Sequence, residues 1–387
     1  MLGGNNMTNC EKPVIDYKKI YILKESTMIT KITENSLCIC NRGSEEVEIE
    51  GDPDLILDFF DFLKKSIPLN IICAFMNRDH NIDQEDCLEV AKILYENSLL
   101  EKKEISEENY QHKKIKKRYS RQQSYFSLFN NDYDQSFIQM KNLMKAHVTL
   151  IGMGGIGSPV ADLLVRAGIK NIRCVDGDIV ELSNLNRQTL YSEKDIGRLK
   201  VEVAKERLQT IDNEVKVECV NETIHSVEQA KQVINNSDFV VVSADSPVGK
   251  LPMWINEACV SKNVPVIFTG YSGDIGVVGP LIIPRKTLCL NCDEHFSTRV
   301  DSSISNNVRE KVNYFDNKIT PPSIGPICFL VSSIVAHEII KALAQLTITP
   351  ITINKVLNID TRSLKIDFHE IENAKNQCTC YKITTNN

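Results

Sequence analysis

The sequence has no excess of positive charge, no export signal, and no membrane-length apolar run free of charged residues. Its 45 basic and 51 acidic side chains leave a net charge of −6 over 387 residues. A chain of that sign exerts no long-range pull on nucleic acid, so none is expected as a partner. The opening residues, MLGGNNMTNC, lack a basic stretch followed by an apolar one, so no signal peptide is expected. The most apolar helical stretch, 327–346, is interrupted by His337, Glu338 and Lys341. It reads as a core helix, and no membrane partner is expected. Repeats of fixed period and long low-complexity tracts are also missing. Thirteen cysteines without an export signal point to reduced thiols and a cytoplasmic protein. Most, such as Cys174 and Cys259, sit in apolar runs and read as small core residues.

What is present divides the chain. A hydrophobic content of 42% over 387 residues suits two domains. Residues 1–16 are polar and read as a flexible terminus. From 17 to 104 the pattern is that of a small α+β domain. Ile20 and Ile22, Leu37 and Ile39, and Val47 and Ile49 fall at period two, with Asn41-Arg42-Gly43 as a turn. Asp52-Pro53 opens a helix whose Leu55, Phe59, Phe62 and Leu63 share a face. A second helix follows Asp83, carries Cys87, Val90, Ala91 and Leu94 in register, and ends near Asn97. Three strands followed by helices predict a winged-helix unit. The charged stretch Glu101 to Lys117 reads as linker, which we bound at 105–135, leaving 136–387 as the second domain.

That second domain alternates strands and helices. Strands are predicted at 148–151, 171–175, 217–220, 239–242 and 266–268, with helices between, which implies an α/β fold with a doubly wound, mostly parallel sheet. Gly152-Met-Gly154-Gly155-Ile-Gly157 matches G-x-G-x-x-G between a strand and a helix. The first glycine allows a tight turn, the second admits phosphate to the backbone, and the third lets the helix pack on the strand. Asp176 lies 19 residues after Gly157, where a carboxylate can accept ribose hydroxyls. A nicotinamide-dependent dehydrogenase would carry the same features.

The next residues separate the two. Asp176-Gly-Asp178-Ile-Val-Glu-Leu-Ser-Asn184-Leu-Asn-Arg187-Gln188 is followed by Gly197-Arg-Leu-Lys200. A dinucleotide has no use for that cluster. A triphosphate calls for Arg and Lys on its outer phosphates and a metal to bridge them. Asp245, at the end of a predicted strand, is placed to hold magnesium.

From about Arg118 to the C-terminus the chain resembles the ThiF/MoeB/E1 superfamily of adenylating enzymes, and the run DGDIVELSNLNRQTL is highly specific to it. The resemblance implies a Rossmann-like, E1-like fold, ATP as cosubstrate, Asp176 on ribose, Asn184, Arg187 and Lys200 on phosphates, and Asp245 on magnesium. Arg118-Tyr-Ser-Arg121-Gln looks like the family's RYxRQ segment. By that likeness the chain is a homodimer, 105–135 serves also as a dimer arm, and Arg121 acts in the neighbouring subunit's site.

Cys289-Leu-Asn-Cys292 and Cys378-Thr-Cys380 lie 86 residues apart, and four thiolates in two close pairs suit a structural zinc. The family carries such a zinc between two C-x-x-C pairs; the second pair here is C-x-C. His295 is an alternate ligand. Sulfur-carrier and ubiquitin-type activators of the superfamily carry a nucleophilic cysteine after the first zinc pair. Residues 293–326 hold none, and Cys328 sits in the apolar run Ile-Cys-Phe-Leu-Val. The polar segment 297–320 reads as a lid.

RYSRQ, the VVSADSP run and GYSGDIGVVGPLIIP resemble the peptide-modifying branch of the superfamily, and the N-terminal domain resembles a PqqD-like precursor-recognition element. Such an element takes a leader peptide as an added strand, here beside Val47 and Ile49. The expected function is therefore ATP-dependent maturation of a ribosomally made precursor peptide, a route to peptide antibiotics. The alternatives are a sulfur-carrier adenylyltransferase, a leader-binding module without ATP chemistry, and the dehydrogenase.

Overall fold

The computed structural model describes residues 15–41, 46–103, 110–130, 132–244, 246–247, 249–292, 322–371 and 380. The chain separates into two compact units, 1–140 and 141–387.

In the N-terminal unit, strand β1 (Ile20–Leu23) pairs antiparallel with β5 (Leu100–Lys103). Strands β2 (Thr27–Thr33), β3 (Ser36–Asn41) and β4 (Val47–Glu50) form a three-stranded meander in that order. Register follows the period-two pattern: Leu37 faces Ile49 and Ile39 faces Val47, and all four are buried. Glu48 and Glu50, between them, point to solvent. Helix α1 (Pro53–Leu63) starts as the Asp-Pro signal predicts, with the Asp52 carboxylate accepting from the Asp54 N–H at 3.0 Å. Helix α3 (Gln84–Glu96) is capped the same way by Asp83. Between them lies α2 (Leu69–His80), which the pattern did not announce. Ile56, Phe59, Phe60 and Leu63 of α1 join Leu69, Ile72 and Met76 of α2 and Leu94 of α3 in one core. Helices α4 (Tyr110–Ser127) and α5 (Tyr133–Lys145) follow, so the stretch expected as linker and arm is largely helical, and 104–109 lie outside the described residues. The division between the two compact units, at 140/141, falls within α5.

The C-terminal unit is built on an eight-stranded sheet of order β13-β12-β11-β10-β9-β6-β7-β8. Strands β6 (His147–Ile151), β7 (Asn171–Val175), β8 (Lys216–Val220), β9 (Phe239–Val242) and β10 (Val266–Ser272) run parallel, joined through α6 (Gly157–Arg166), α7 (Lys200–Ile211), α8 (Val227–Val233) and α9 (Leu251–Lys262). Among them β9, Phe-Val-Val-Val, is apolar and buried throughout, as a strand covered on both faces must be, whereas β8 at the sheet edge alternates buried Val217 with exposed Lys216 and Glu218. At Gly273-Asp274 the chain turns back, and β11 (Ile275–Ile282), β12 (Lys355–Asp360) and β13 (Lys365–Glu370) extend the sheet antiparallel.

Helix α10 (Gly325–Ala344) is long and apolar enough to cross a membrane by composition alone. It packs instead against β10, β11 and α6, and buries an ion pair, Lys341 Nζ to Glu338 Oε1 at 2.9 Å. The other oxygen of Glu338 accepts from the Thr352 N–H and hydroxyl, so the pair is satisfied inside the fold.

Candidate active site

Strand order reverses between β6 and β9, and at that point a doubly wound sheet opens a crevice at the carboxyl ends of its strands. A cavity of about 380 Å³ occupies it. The glycine turn after β6 forms one wall. Gly152 adopts φ +94°, and a Cβ there would stand 2.7 Å from the Ala244 nitrogen. A Cβ on Gly157 would collide with the Gly152 carbonyl, so this glycine is the seat of α6 against β6 and does not line the cavity. Gly154 and Gly155 face the cavity. The nearest atom to a Cβ on Gly154 would be Gln188 Nε2, at 3.8 Å, so its backbone is open to a ligand.

Asp176, just past β7, is held by two backbone donors: Met153 N–H to Oδ2 at 2.7 Å and Asp178 N–H to Oδ1 at 2.8 Å. Burial pushes its carboxyl above the ordinary value, opposed by Lys200 and those two N–H groups. Lys200, the first residue of α7, is buried and reaches Asp178 with Nζ to Oδ2 at 2.7 Å. Asn184 caps a tight turn by accepting the Glu181 N–H. Arg187 donates to the Ser183 carbonyl and the Asn186 side chain, both on its own loop, and it borders the cavity. Gln188 is buried, and its Oε1 has no hydrogen-bond partner among the described residues. A buried acceptor left alone costs about 1–3 kcal/mol, which a ligand donor would offset.

The fold therefore gathers Gly152, Gly154, Gly155, Asp176, Asp178, Asn184, Arg187, Gln188 and Lys200 around one space. Asp245 lies outside the described residues, but its neighbours Ala244 and Ser246 both line the cavity. Arg121 is exposed on α4 of the other unit. The cavity also has walls that sequence reading missed: Glu222, Thr223 and Ile224 after β8, Ser243 after β9, and Thr269 to Tyr271 on β10. Each follows or ends a parallel strand, where such a sheet binds its ligand, and that position is the signal that could have found them.

At a separate place in the unit, the sulfurs of Cys289, Cys292 and Cys380 all lie within 4.8 Å of one another. Cys289 and Cys292 are 3.8 Å apart and Cys292 and Cys380 3.3 Å. Zinc–sulfur bonds of about 2.3 Å in a tetrahedron set sulfurs about 3.8 Å apart, so the three thiols fit that ion. Cys378, the fourth thiol, His295 and the 297–320 segment lie outside the described residues. Cys328 is buried in α10, with its sulfur 2.9 Å from where a Cβ on Gly155 would stand.

Residues 119–380 match the model of the ThiF family. A sulfur carrier protein ThiS adenylyltransferase of Bacillus subtilis is 32% identical over 154 residues, which is 39% of this chain and 45% of that protein. The chain thus spans less than half the length of that curated relative. Among solved structures, E. coli MccB with ATP superposes at a TM-score of 0.74 and 27% identity, covering 93% of this chain and 99% of MccB. The same enzyme, described as a microcin C7 biosynthetic enzyme, has also been solved with N-formylated MccA. PaaA shares the fold, at a TM-score of 0.70 and 23% identity over 90% of this chain and 99% of PaaA.

Proposed function

The chain belongs to the ThiF family, and from that premise we propose that it adenylates a carboxylate or amide of a ribosomally made precursor peptide with ATP. The supporting observation is extent. The likeness to MccB runs over 93% of this chain and so takes in most of the N-terminal unit, whereas the ThiS adenylyltransferase aligns with 39%.

The chemistry follows from the cavity. The N–H groups of the glycine turn and of the α6 N-terminus receive phosphate oxygens. Asp176, pinned by two backbone donors, accepts the ribose hydroxyls. Arg187, Lys200 and Asn184 meet the outer phosphates, with Lys200 passing from Asp178 to the ligand. Gln188 presents its unpartnered oxygen to a ligand donor. Magnesium, held by Asp245, would supply the positive charge that offsets the leaving pyrophosphate. Arg121, from the partner in a homodimer, would serve the same charge.

A peptide oxygen attacks the α-phosphorus, a P–O bond forms, the bond to the bridging oxygen breaks, and pyrophosphate leaves. An amide oxygen gives an imidate-adenylate, its nitrogen releasing a proton. A nitrogen or carbon nucleophile of the same peptide then attacks the activated carbon, gives up its proton and displaces AMP, closing a ring. No cysteine step is needed, in keeping with the buried Cys328. Zinc on Cys289, Cys292, Cys378 and Cys380 is structural. The N-terminal unit acts as the PqqD-like element, offering the free edge of β4 to the leader. We place this chemistry in the cytoplasm.

Peptides encoded by short reading frames beside the gene test the reading. One of them should raise ATP–pyrophosphate exchange at least tenfold over protein alone. If none does, while a small protein ending in Gly-Gly does, the sulfur-carrier reading replaces this one.

A further inference from the structure

The sheet order β2-β3-β4 leaves β4 at an edge, paired among the described residues only with β3. Beside it runs a groove of about 450 Å³. Its floor is apolar, with Ile49, Ile56, Phe59 and Met76 buried, and Val90 and Ile93 of α3 half-buried along the far side. Its charged lining is of one sign. Glu48, Glu50, Asp52, Asp86 and Glu89 all border it, all are exposed, and no lysine, arginine or histidine is among its lining residues.

We infer that this groove selects a basic amphipathic segment of the peptide substrate: an extended stretch of about four residues or more in which apolar side chains alternate with lysine or arginine. The inference rests on the peptide-modifying reading above and adds to it the chemistry of the occupant. A strand added to β4 would continue its pleat, so its side chains would alternate between the two faces of β4. Those sharing the face of Val47 and Ile49 enter the apolar groove. Those sharing the face of Glu48 and Glu50 stand beside two carboxylates, where a cation is favoured and a carboxylate repelled. Across the groove, Asp86 and Glu89 on α3 impose the same sign. The apolar floor supplies affinity for any hydrophobic segment; the carboxylates decide which one is accepted.

The test uses the full chain and two synthetic, fluorescently labelled peptides of identical apolar positions, one with lysine at each alternate position and one with glutamate. Binding by anisotropy at low salt should favour the lysine peptide at least tenfold, and the preference should shrink between 50 and 300 mM NaCl. The double variant Glu48→Lys/Glu50→Lys should reverse it. Glu228→Lys/Asp367→Lys changes exposed acids of the other unit by the same charge and should leave it intact. Equal binding of both peptides, or an equal response to both double variants, overturns the inference, because attraction would then follow the net charge of the chain. Self-association abolished by Glu48→Lys/Glu50→Lys would assign the groove to a second copy and overturn it too. The exchange assay separates the two claims: stimulation by a peptide that is unaffected by Glu48→Lys/Glu50→Lys removes this inference alone, whereas no stimulation by any peptide removes the adenylation reading.

Discussion

In the C-terminal unit a ligand meets fixed charged and polar groups at strand ends around a glycine-rich turn; in the N-terminal unit it meets an apolar floor with charge confined to the rim. The first arrangement fits a small, highly charged molecule whose atoms can be contacted one by one. Asp176 and Lys200 are held in place before any ligand arrives, by backbone N–H groups and by Asp178. The second fits a chain, because a strand edge bonds backbone whatever the side chains are, and the groove sorts only their polarity and sign. On the proposed reading, specificity for the cosubstrate is built from positions, and specificity for the peptide from composition.

If the two units carry separate tasks, damage to one should leave the other working. The largest effect is expected at the zinc-fitting thiols. Wild-type protein should carry about one zinc per chain by elemental analysis. Cys292→Ser should lose it and lower the melting temperature of the C-terminal unit, because the binding free energy of a structural zinc is folding free energy, while binding of the lysine peptide to the β4 groove persists. A zinc-free wild type, or peptide binding lost together with the metal, would break the comparison.

A smaller effect is expected from a buried pair in the N-terminal unit. Burial pushes the Glu101 carboxyl up to about 7 and the Lys24 ammonium down to about 8. Lys24 donates to the Ser127 and Asn130 carbonyls, while Glu101 Oε2 has no partner among the described residues. Folded chains keep the Glu101 proton up to about pH 7, whereas unfolded ones lose it near 4.5. The folded form thus holds more protons in that window, and stability falls as pH rises through it, by on the order of 1–3 kcal/mol. Glu101→Gln cannot titrate. Its melting temperature relative to wild type should climb by a few degrees between pH 5 and 7.5, with MgATP affinity unchanged. Parallel melting curves at both pH values would show that Glu101 is not buried in this way.

The same contrast explains what the sequence could tell. The nucleotide site was legible where its chemistry sits in consecutive residues, from Gly152 to Gly157 and from Asp176 to Gln188. The opposite wall was not, because Thr223, Ser243 and Tyr271 become neighbours only through the order of β8, β9 and β10. The start of α1 was legible in Asp52-Pro53, since a cap is a local hydrogen bond. Helix α2 was not: from Leu69 to Met76 only Asn70 interrupts the apolar residues, so no face stands out, and Ile71 stays 41% exposed. Strand β2 escaped notice because its apolar residues do not fall on one face: Met28 and Ile32 are exposed. The first antiparallel strand, β11, was hidden in GYSGDIGVVGPLIIP, whose Gly-Asp pair is a two-residue hairpin turn. The groove was invisible because its floor residues repeat at the same spacing as any core.

The central claim is that the groups downstream of the glycine turn converge on a magnesium-bound triphosphate, and ligand titration by calorimetry tests it without any peptide. Wild-type protein should bind MgATP and show no measurable affinity for NAD, and Lys200→Ala and Asp245→Ala should each weaken MgATP at least tenfold while remaining folded by circular dichroism. Tighter binding of NAD than of MgATP, or variants that bind MgATP as well as wild type does, would contradict it.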